Sequence, residues 1–504
     1  MKSALAALLL AAPVFAAGEK PNVILILADD IGYGDLGCYR VTASGAERDA
    51  RGGATKIKTP HLDRLAAEGL RFTDAHCPSG TCTPTRYALL TGEFAWRRKG
   101  TGILPGDAAL IIRPDRVTLP GLMKQAGYTT ACVGKWHLGL GDGQVNWNAP
   151  VSPGPNQIGF DYSFIMPATG DRVPCVYMEN GRVLGLDPHD PIQVSYGKKI
   201  GDEPTGREQP ELLKMKLSLG HDGTIINGIS RIGFMSGGRA ARWNDETMAD
   251  TFAQRATQFI ELNKDRPFFL YLATHDIHVP RVPHPRFRGT SGCGVRGDVA
   301  QQFDDTVGQV LATLDRLDLD EQTLVIVTSD NGPVVNDGYD DGADRSLNGH
   351  QPAGPFRGGK YSLFEAATRV PFLVRWPGRV KPGTTFDGLF GYVDLAASLA
   401  ALTGVAIPPG GAPDSVNALG NLLGTEATPV RKELVVHDGG RAVALRSGAW
   451  KYIPPGPRAG KVPQLYDLAT DPGEQKNLAE EKPKRRDELA ARLAALRGPA
   501  AELD

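Results

Sequence analysis

Residues 21–28 read PNVILILA, a continuous apolar run that stops at Asp29-Asp30. A run without alternation cannot keep one face in water, so it predicts a strand buried on both faces. Strands of that kind belong to sheets with helices packed on each side. In such sheets ligands gather outside the carboxyl ends of the strands. The two acids therefore stand where chemistry is expected.

The rest of the chain extends the pattern. Thr59 as cap and Pro60 at the first position open a helix that runs to Gly69. Residues 119–126 predict a helix and 128–134 the strand after it. Residues 247–263 and 267–273 repeat that order, as do 299–317 and 323–329. Helices alternating with strands predict an α/β fold, a large central sheet, mostly parallel or mixed, flanked by helices. Residues 141–246 are rich in Gly, Pro and Asp without clear periodicity and predict loops over the sheet face. Past about 430 come short strand candidates at 434–436, 442–445, 450–453 and 464–466, then an amphipathic helix at 485–496. This predicts a smaller C-terminal subdomain of antiparallel sheet plus helix over 431–504, after a catalytic domain over 17–430.

Composition narrows the class. The 504 residues hold 56 Lys plus Arg against 57 Asp plus Glu, a net charge of −1, which speaks against a nucleic-acid partner. Hydrophobic residues at 41 % and charged residues at 22 % fit a packed globule. Six cysteines (Cys38, Cys77, Cys82, Cys132, Cys175 and Cys293) are too few for a disulfide scaffold in so long a chain. At the start, Lys2 precedes an Ala-rich apolar stretch, and Val14-Phe15-Ala16 suits a cut after Ala16. A signal peptide over 1–16 is expected, and with it an exported protein, periplasmic or secreted. No later segment is long and apolar enough to span a bilayer, so no stable membrane insertion is expected.

Two strand ends carry oxygen ligands. Asp29-Asp30 closes the first strand and Ser329-Asp330-Asn331-Gly332 closes a later one. Three carboxylates and an amide suit a hard cation, Ca²⁺ or Mg²⁺, better than Zn²⁺. Either pair alone is equally what a helix or turn cap looks like. Cys82-Thr83-Pro84-Thr85-Arg86, followed by Thr91-Gly92, stands apart. On residue type alone Cys82 is either a buried inert thiol or a thiolate activated by Arg86.

This last pattern resembles the maturation signal of the sulfatase family, Cys-x-Pro-x-Arg with a downstream Thr-Gly. Other segments resemble that family in its order. They are Asp29-Asp30 with Gly32-Tyr33-Gly34-Asp35, then Gly134-Lys135-Trp136-His137-Leu138-Gly139, then Ala273-Thr274-His275-Asp276-Ile277-His278-Val279-Pro280. Ser329-Asp330-Asn331-Gly332 and Arg357-Gly358-Gly359-Lys360 follow, and Leu465-Tyr466-Asp467-Leu468, Asp471-Pro472 and Asn477-Leu478 close the chain. There are two departures. Thr85 stands where the family's commonest form has Ser, and Ala366-Ala367 follow Glu365 where it often has two glycines.

The resemblance implies an alkaline-phosphatase-like fold and a formylglycine-dependent type I sulfatase, arylsulfatase-like, that hydrolyses sulfate esters. It implies that a sulfatase-maturating enzyme oxidises Cys82 to formylglycine, whose hydrate is the nucleophile. The metal would be held by Asp29, Asp30, the converted Cys82, Asp330 and Asn331, with Ca²⁺ expected and Mg²⁺ the alternative. Arg86 would hold the hydrate, and Lys135 would bridge hydrate and sulfate. His137 would assist deprotonation of the second hydroxyl, while His278 and Lys360 would lie at the leaving oxygen, one as general acid. Lys135, His278, Lys360 and His275 are the expected substrate contacts. An anionic ester needs such positive charge. Export favours a sulfated glycan, for example a 6-sulfated galactose or N-acetylhexosamine, with small aryl sulfates as surrogates. The alternative is a phosphonate or phosphate monoester hydrolase of the same superfamily. Trp96, Arg97, Arg98, Arg242 and Trp243 read either as glycan contacts or as packing and solvent residues, and His350 either as a substrate contact or as a solvated loop residue.

Overall fold

The computed structural model describes residues 20–39, 56–440 and 442–498. The expected signal peptide lies outside the described residues. A ten-stranded sheet forms the centre. Its middle strands are β1 (Asn22–Ala28), β2 (Thr129–Lys135), β3 (Tyr162–Met166), β4 (Phe268–Ala273), β5 (Thr323–Ser329) and β6 (Phe372–Arg375). Their order across the sheet is β6-β5-β1-β4-β2-β3. The β5–β6 pair is antiparallel and the others are parallel. Leu70–Phe72 and Thr384–Phe386 extend the edge past β6, and Met178–Glu179 and Arg182–Val183 the edge past β3.

β1 lies between β4 and β5 with every residue buried, as an apolar run without alternation predicts. Parallel register then aligns the exits. Ala28 pairs with Ser329, Leu27 with Ala273, and Ala273 with Gly134. The residues at and beyond the strand ends, Asp29-Asp30, Asp330-Asn331, His275 to His278 and Lys135 to His137, therefore leave the sheet along one edge.

Two groups of helices flank the sheet. Met248–Asn263 packs on Gly294–Arg316, which also meets Pro60–Ala67. Cys82–Thr91, Leu119–Gln125 and Leu395–Thr403 pack together as the second group. Met248–Asn263 and Leu119–Gln125 both contact β2.

Two expectations are corrected. Tyr162–Met166, inside the region read as loops, is a strand of the central sheet. Its five residues between Gly159 and Pro167 are too few to show a period. The helix expected to start at 299 starts at Gly294. Gly294 and Gly297 disfavour helix locally, but the Arg296 side chain is fully buried and reaches the Asp30 carbonyl at 3.2 Å, so tertiary anchoring wins.

Near the C-terminus, Glu433–His437, Val443–Ser447, Trp450–Ile453 and Gln464–Asp467 form a separate antiparallel sheet in chain order. The helix Pro483–Arg497 covers it, with Leu489 and Leu493 packed among Val435, Val443, Leu445 and Leu465. Among the described residues no helix is long and apolar enough to cross a membrane.

Candidate active site

The strand exits meet the helix Cys82–Thr91. Cys82 heads this helix, after Thr81 as N-cap, and every residue of it is buried. The positive end of the helix thus lies at Cys82, which favours an anion there. Asp30 (φ 64°) and His137 (φ 54°) both adopt the left-handed conformation that non-glycine residues avoid. The strain falls where the chain turns out of β1 and β2 into the site.

Asp29, Asp30 and Asp330 present carboxylate oxygens within 4.8 Å of one another, all buried. Burial and then the neighbouring Asp330 push Asp29 well above the usual carboxylate range. Burial raises Asp30 too, against the pull of Lys360. Asn331 donates its amide to Asp30 at 2.7 Å. Oδ1 of Asp29 and Oδ1 of Asn331 are buried with no hydrogen-bond donor. Orphaned oxygens beside crowded carboxylates fit a hard, oxygen-coordinated cation.

Three cations frame the acids. Arg86 donates from Nε and Nη2 to Oδ2 of Asp330, at 2.9 and 2.8 Å, and from Nη1 to the Lys135 carbonyl at 2.7 Å. It locks the helix to β2 and β5. Lys135 bonds Asp29, and Lys360 lies 2.9 Å from both Asp30 and Asp337. Burial acts to lower Lys360, but Asp30 and Asp337 outweigh it and hold the ammonium well above its ordinary range.

The histidines are oriented by backbone carbonyls. Nδ1 of His137 lies 3.3 Å from Sγ of Cys82, and its Nε2 is 3.0 Å from the Leu104 carbonyl. A carbonyl only accepts, so Nε2 carries the proton and Nδ1 offers a lone pair toward position 82. Burial, with Lys135, lowers the His137 pKa and keeps the ring neutral. His278 donates from Nδ1 to the Val279 carbonyl at 2.6 Å. Its Nε2 faces Asp30 and Asp337, each at 4.0 Å. His275 is wedged against Gly170, where a Cβ would meet its ring at 2.6 Å. Burial lowers it to about 3, so it is neutral.

All the residues singled out in the sequence for this site converge here. Others were not foreseen. Asp337 accepts from Lys360 and, at 2.9 Å, from the Tyr361 hydroxyl. Thr169 lies 3.1 Å from Nδ1 of His278. Asp171 pairs with Arg172 at 2.7 Å and with His221 at 3.0 Å. Thr169 to Arg172 follow β3 after Pro167-Ala168, so recognising that strand would have marked them as exit residues.

Several peripheral readings are resolved. Trp243 is buried, its indole N–H donating to Asp245 at 3.2 Å. Arg242 pairs with Glu203, Arg97 with Asp414 and Arg98 with Glu93. His350 is not solvated. It is 3 % exposed and bonds Asp35 at 2.7 Å. All six cysteines are free thiols.

The comparisons agree with this geometry. The sulfatase family profile matches residues 21–405, and that of the N-sulphoglucosamine sulphohydrolase C-terminal region matches 358–498. The N-acetylgalactosamine-6-O-sulfatase of Bacteroides thetaiotaomicron is 50 % identical over 492 residues, covering 95 % of this chain and 93 % of that protein. Human arylsulfatase A is 33 % identical over 499 residues, covering 94 % and 86 %. A solved structure concerned with the metabolism of multiple glycosaminoglycans by Bacteroides thetaiotaomicron superposes with a TM-score of 0.90 at 50 % identity. It covers 95 % of this chain and all of that one. A sheet that delivers acids, lysines and histidines to one cysteine-headed helix, shared over nearly the whole length with these relatives, places the chain in the sulfatase family of sulfuric ester hydrolases.

Proposed function

We propose that this protein is an exported sulfatase, periplasmic or secreted, that cleaves the 6-sulfate of a sulfated carbohydrate, N-acetylgalactosamine or galactose. Its nucleophile is the hydrated formylglycine made from Cys82 by a sulfatase-maturating enzyme. The observation that carries the mechanism is the lone pair of His137 Nδ1 facing Sγ of Cys82 at 3.3 Å, inside a pocket framed by Lys135 and Lys360. In the mature enzyme the hydrate hydroxyls take the place of that sulfur. The sugar is supported by the 50 % identity to an N-acetylgalactosamine-6-O-sulfatase.

Asp29, Asp30, Asp330, Asn331 and the converted Cys82 would hold the cation, Ca²⁺ by its oxygen ligands and Mg²⁺ as alternative. When bound, such an ion neutralises the carboxylates and lowers the pKa of a coordinated hydroxyl. Lys135, Lys360, His278 and His275 line the space for the ester. One hydrate hydroxyl attacks sulfur, its proton passing to a carboxylate beside position 82, Asp330 or Asp29, and the sulfur–oxygen bond to the sugar breaks. The leaving oxygen takes a proton from Lys360 or His278. Lys360 enters charged. His278 can give a proton from Nε2 only as imidazolium, which a nearby sulfate favours. His137 Nδ1 then removes the proton of the second hydroxyl, the carbon–oxygen bond to sulfate breaks, and the aldehyde returns. Arg86 acts through Asp330 and the Lys135 carbonyl, holding the frame.

Turnover of N-acetylgalactosamine 6-sulfate and galactose 6-sulfate, beside the matching 6-phosphates, tests this reading. Faster release of sulfate is expected. Equal or faster release of phosphate would favour the phosphomonoesterase alternative, and no release from either sugar would overturn the substrate.

A further inference from the structure

Two stretches singled out in the sequence take no part in the chemistry above: Gly32-Tyr33-Gly34-Asp35, just past the first two acids, and the loop that carries His350. The fold presses one onto the other. The Gly34 N–H donates to the Pro352 carbonyl at 2.8 Å. A Cβ at Gly32 would meet the Pro352 carbonyl oxygen at 2.1 Å, and one at Gly34 the Gln351 carbonyl oxygen at 2.1 Å. Backbone lies on backbone here, with no room for a side chain. His350 heads that contact, and its Nε2 lies 2.7 Å from the Asp35 carboxylate. A carboxylate paired with a guanidinium only accepts, so Nε2 carries the proton.

Asp35 is the hub. It is wholly buried, accepts from the Gly32 N–H at 2.7 Å and pairs with Arg296 at 2.5 Å. Arg296, wholly buried on the helix Gly294–Arg316, also donates to the Asp30 carbonyl at 3.2 Å and the Val334 carbonyl at 2.9 Å. Val334 lies three residues past Asn331. One guanidinium therefore joins the turn after β1 to the turn after β5, and those turns carry Asp29, Asp30, Asp330 and Asn331. Asp30 is left-handed at φ 64°. Such a residue persists only where its surroundings over-determine it. Arg296 on its carbonyl, Asp35 on the Gly32 N–H, and Ser329 Oγ accepting from the Ile31 N–H at 3.0 Å supply that constraint. Among the described residues, Nε of Arg296 and Nδ1 of His350 are buried without a hydrogen-bond partner. Burying them unpaired costs stability, so stability alone does not account for the network.

We propose that Asp35, Arg296 and His350 are positioning residues for the cation, fixing the turn that presents Asp30 and so setting how tightly the oxygen ligands hold Ca²⁺. The proposal rests on the cation reading above and adds what shapes that site beforehand. The three residues act through the Asp30 backbone and, by the Val334 carbonyl, through the segment after Asn331. Partners that orient metal ligands in this way carry about 10- to 100-fold in metal affinity. A planar guanidinium fork serves three acceptors at once, which a lysine ammonium on its flexible stem does not.

The test is calorimetric titration of Ca²⁺ into the chelator-treated protein, beside its unfolding midpoint without Ca²⁺ and KM for N-acetylgalactosamine 6-sulfate at saturating Ca²⁺. His350→Ala is expected to raise the Kd for Ca²⁺ about tenfold, and Arg296→Lys about 10- to 100-fold, with KM at the wild-type value. His350→Gln keeps an N–H where Nε2 stands and should retain most of the affinity. Whichever of His350→Ala and Arg296→Lys folds carries the test. A Kd within about twofold of wild type, whatever the unfolding midpoint, makes the residues merely structural and overturns the proposal, while the cation reading stands. A raised KM in His350→Ala at unchanged Kd makes His350 a substrate contact and overturns it as well. If the wild type itself binds no Ca²⁺, the cation reading falls and the proposal falls with it.

Discussion

At the scale of single residues the site divides labour by hydrogen-bond direction. Commitment of His137 Nε2 to the Leu104 carbonyl makes Nδ1 a base aimed at position 82. In the proposed mechanism a base at that place serves the second half of the reaction, so its loss should stall the enzyme after attack. Incubated with substrate, His137→Ala is expected to accumulate a sulfated Cys82-derived residue visible in the peptide mass, with kcat down about 10²- to 10⁴-fold. An unsulfated peptide at the same loss of rate would place His137 in the first half instead. Lys360→Ala would remove the charge that the proposed mechanism sets at the leaving oxygen. Both kcat and kcat/KM should fall about 10²- to 10⁴-fold, without a sulfated intermediate.

Residue types in fixed segments made Cys82, Arg86, Lys135, His137, His278 and Lys360 legible in the sequence. Asp337, Asp171, Arg172 and His221 were not legible, because each sits on a loop with no local signal. Burial of a polar loop residue against another loop is a long-range fact. His350, read as a substrate contact or a solvated residue, illustrates the same limit. Only the fold brings Asp35 to 2.7 Å from its Nε2.

At the scale of elements, the stretch 357–368 ties the site to the C-terminal sheet. The Lys360 N–H donates to the Pro333 carbonyl, and the Gly332 N–H to the Ala367 carbonyl. Glu365, wholly buried, accepts from Lys451 at 3.1 Å and Arg446 at 2.6 Å, and its N–H donates to Glu474 at 2.7 Å. Lys451 also pairs with Glu474 at 3.0 Å. Removing one partner of such a group leaves buried charge uncompensated. Lys451→Met should therefore cost about 3–5 kcal/mol in denaturant unfolding, whereas a cost within ~0.5 kcal/mol would mean the cluster is not a clamp.

The same cluster sets a pH response. Burial opposes ionisation of Glu365, but Arg446 and Lys451 outweigh it and hold the carboxyl below its usual range. Asp74 is held down in the same way by Arg369 and Arg446. A carboxyl depressed in the folded state contributes stability that is present above its unfolded value, near ~4, and is lost as pH falls toward the folded value. Unfolding midpoints should therefore drop below about pH 5, and less steeply in Glu365→Gln. Equal slopes would remove Glu365 from the account. The sequence showed Glu365 only as a motif departure, because its partners come from strands more than 80 residues away.

At the scale of the whole molecule, β1 governs the rest. Its apolar run demanded cover on both faces, and its parallel neighbours delivered their exits to one edge. That much of the fold was legible because strong hydrophobic pattern survives context. The strand Tyr162–Met166 and the edge strands were not, being too short to carry a period. Convergence of Asp29, Asp30 and Asp330 has a global consequence. Buried like charges destabilise the chain, and a cation bound among them would relieve that cost. Added Ca²⁺ should raise the melting temperature of the chelator-treated protein, by about 2.7 kcal/mol of stability at a hundredfold excess over Kd. Asp330→Asn should blunt the response, and an identical shift in that variant would place the ion elsewhere.

The central claim is that Cys82 is converted and that its hydrate does the chemistry. The mass of the Cys82 peptide, taken from enzyme that is turning over N-acetylgalactosamine 6-sulfate, tests it most directly. The aldehyde form is predicted, in a fraction that tracks specific activity across preparations. An unmodified thiol in fully active enzyme would contradict it.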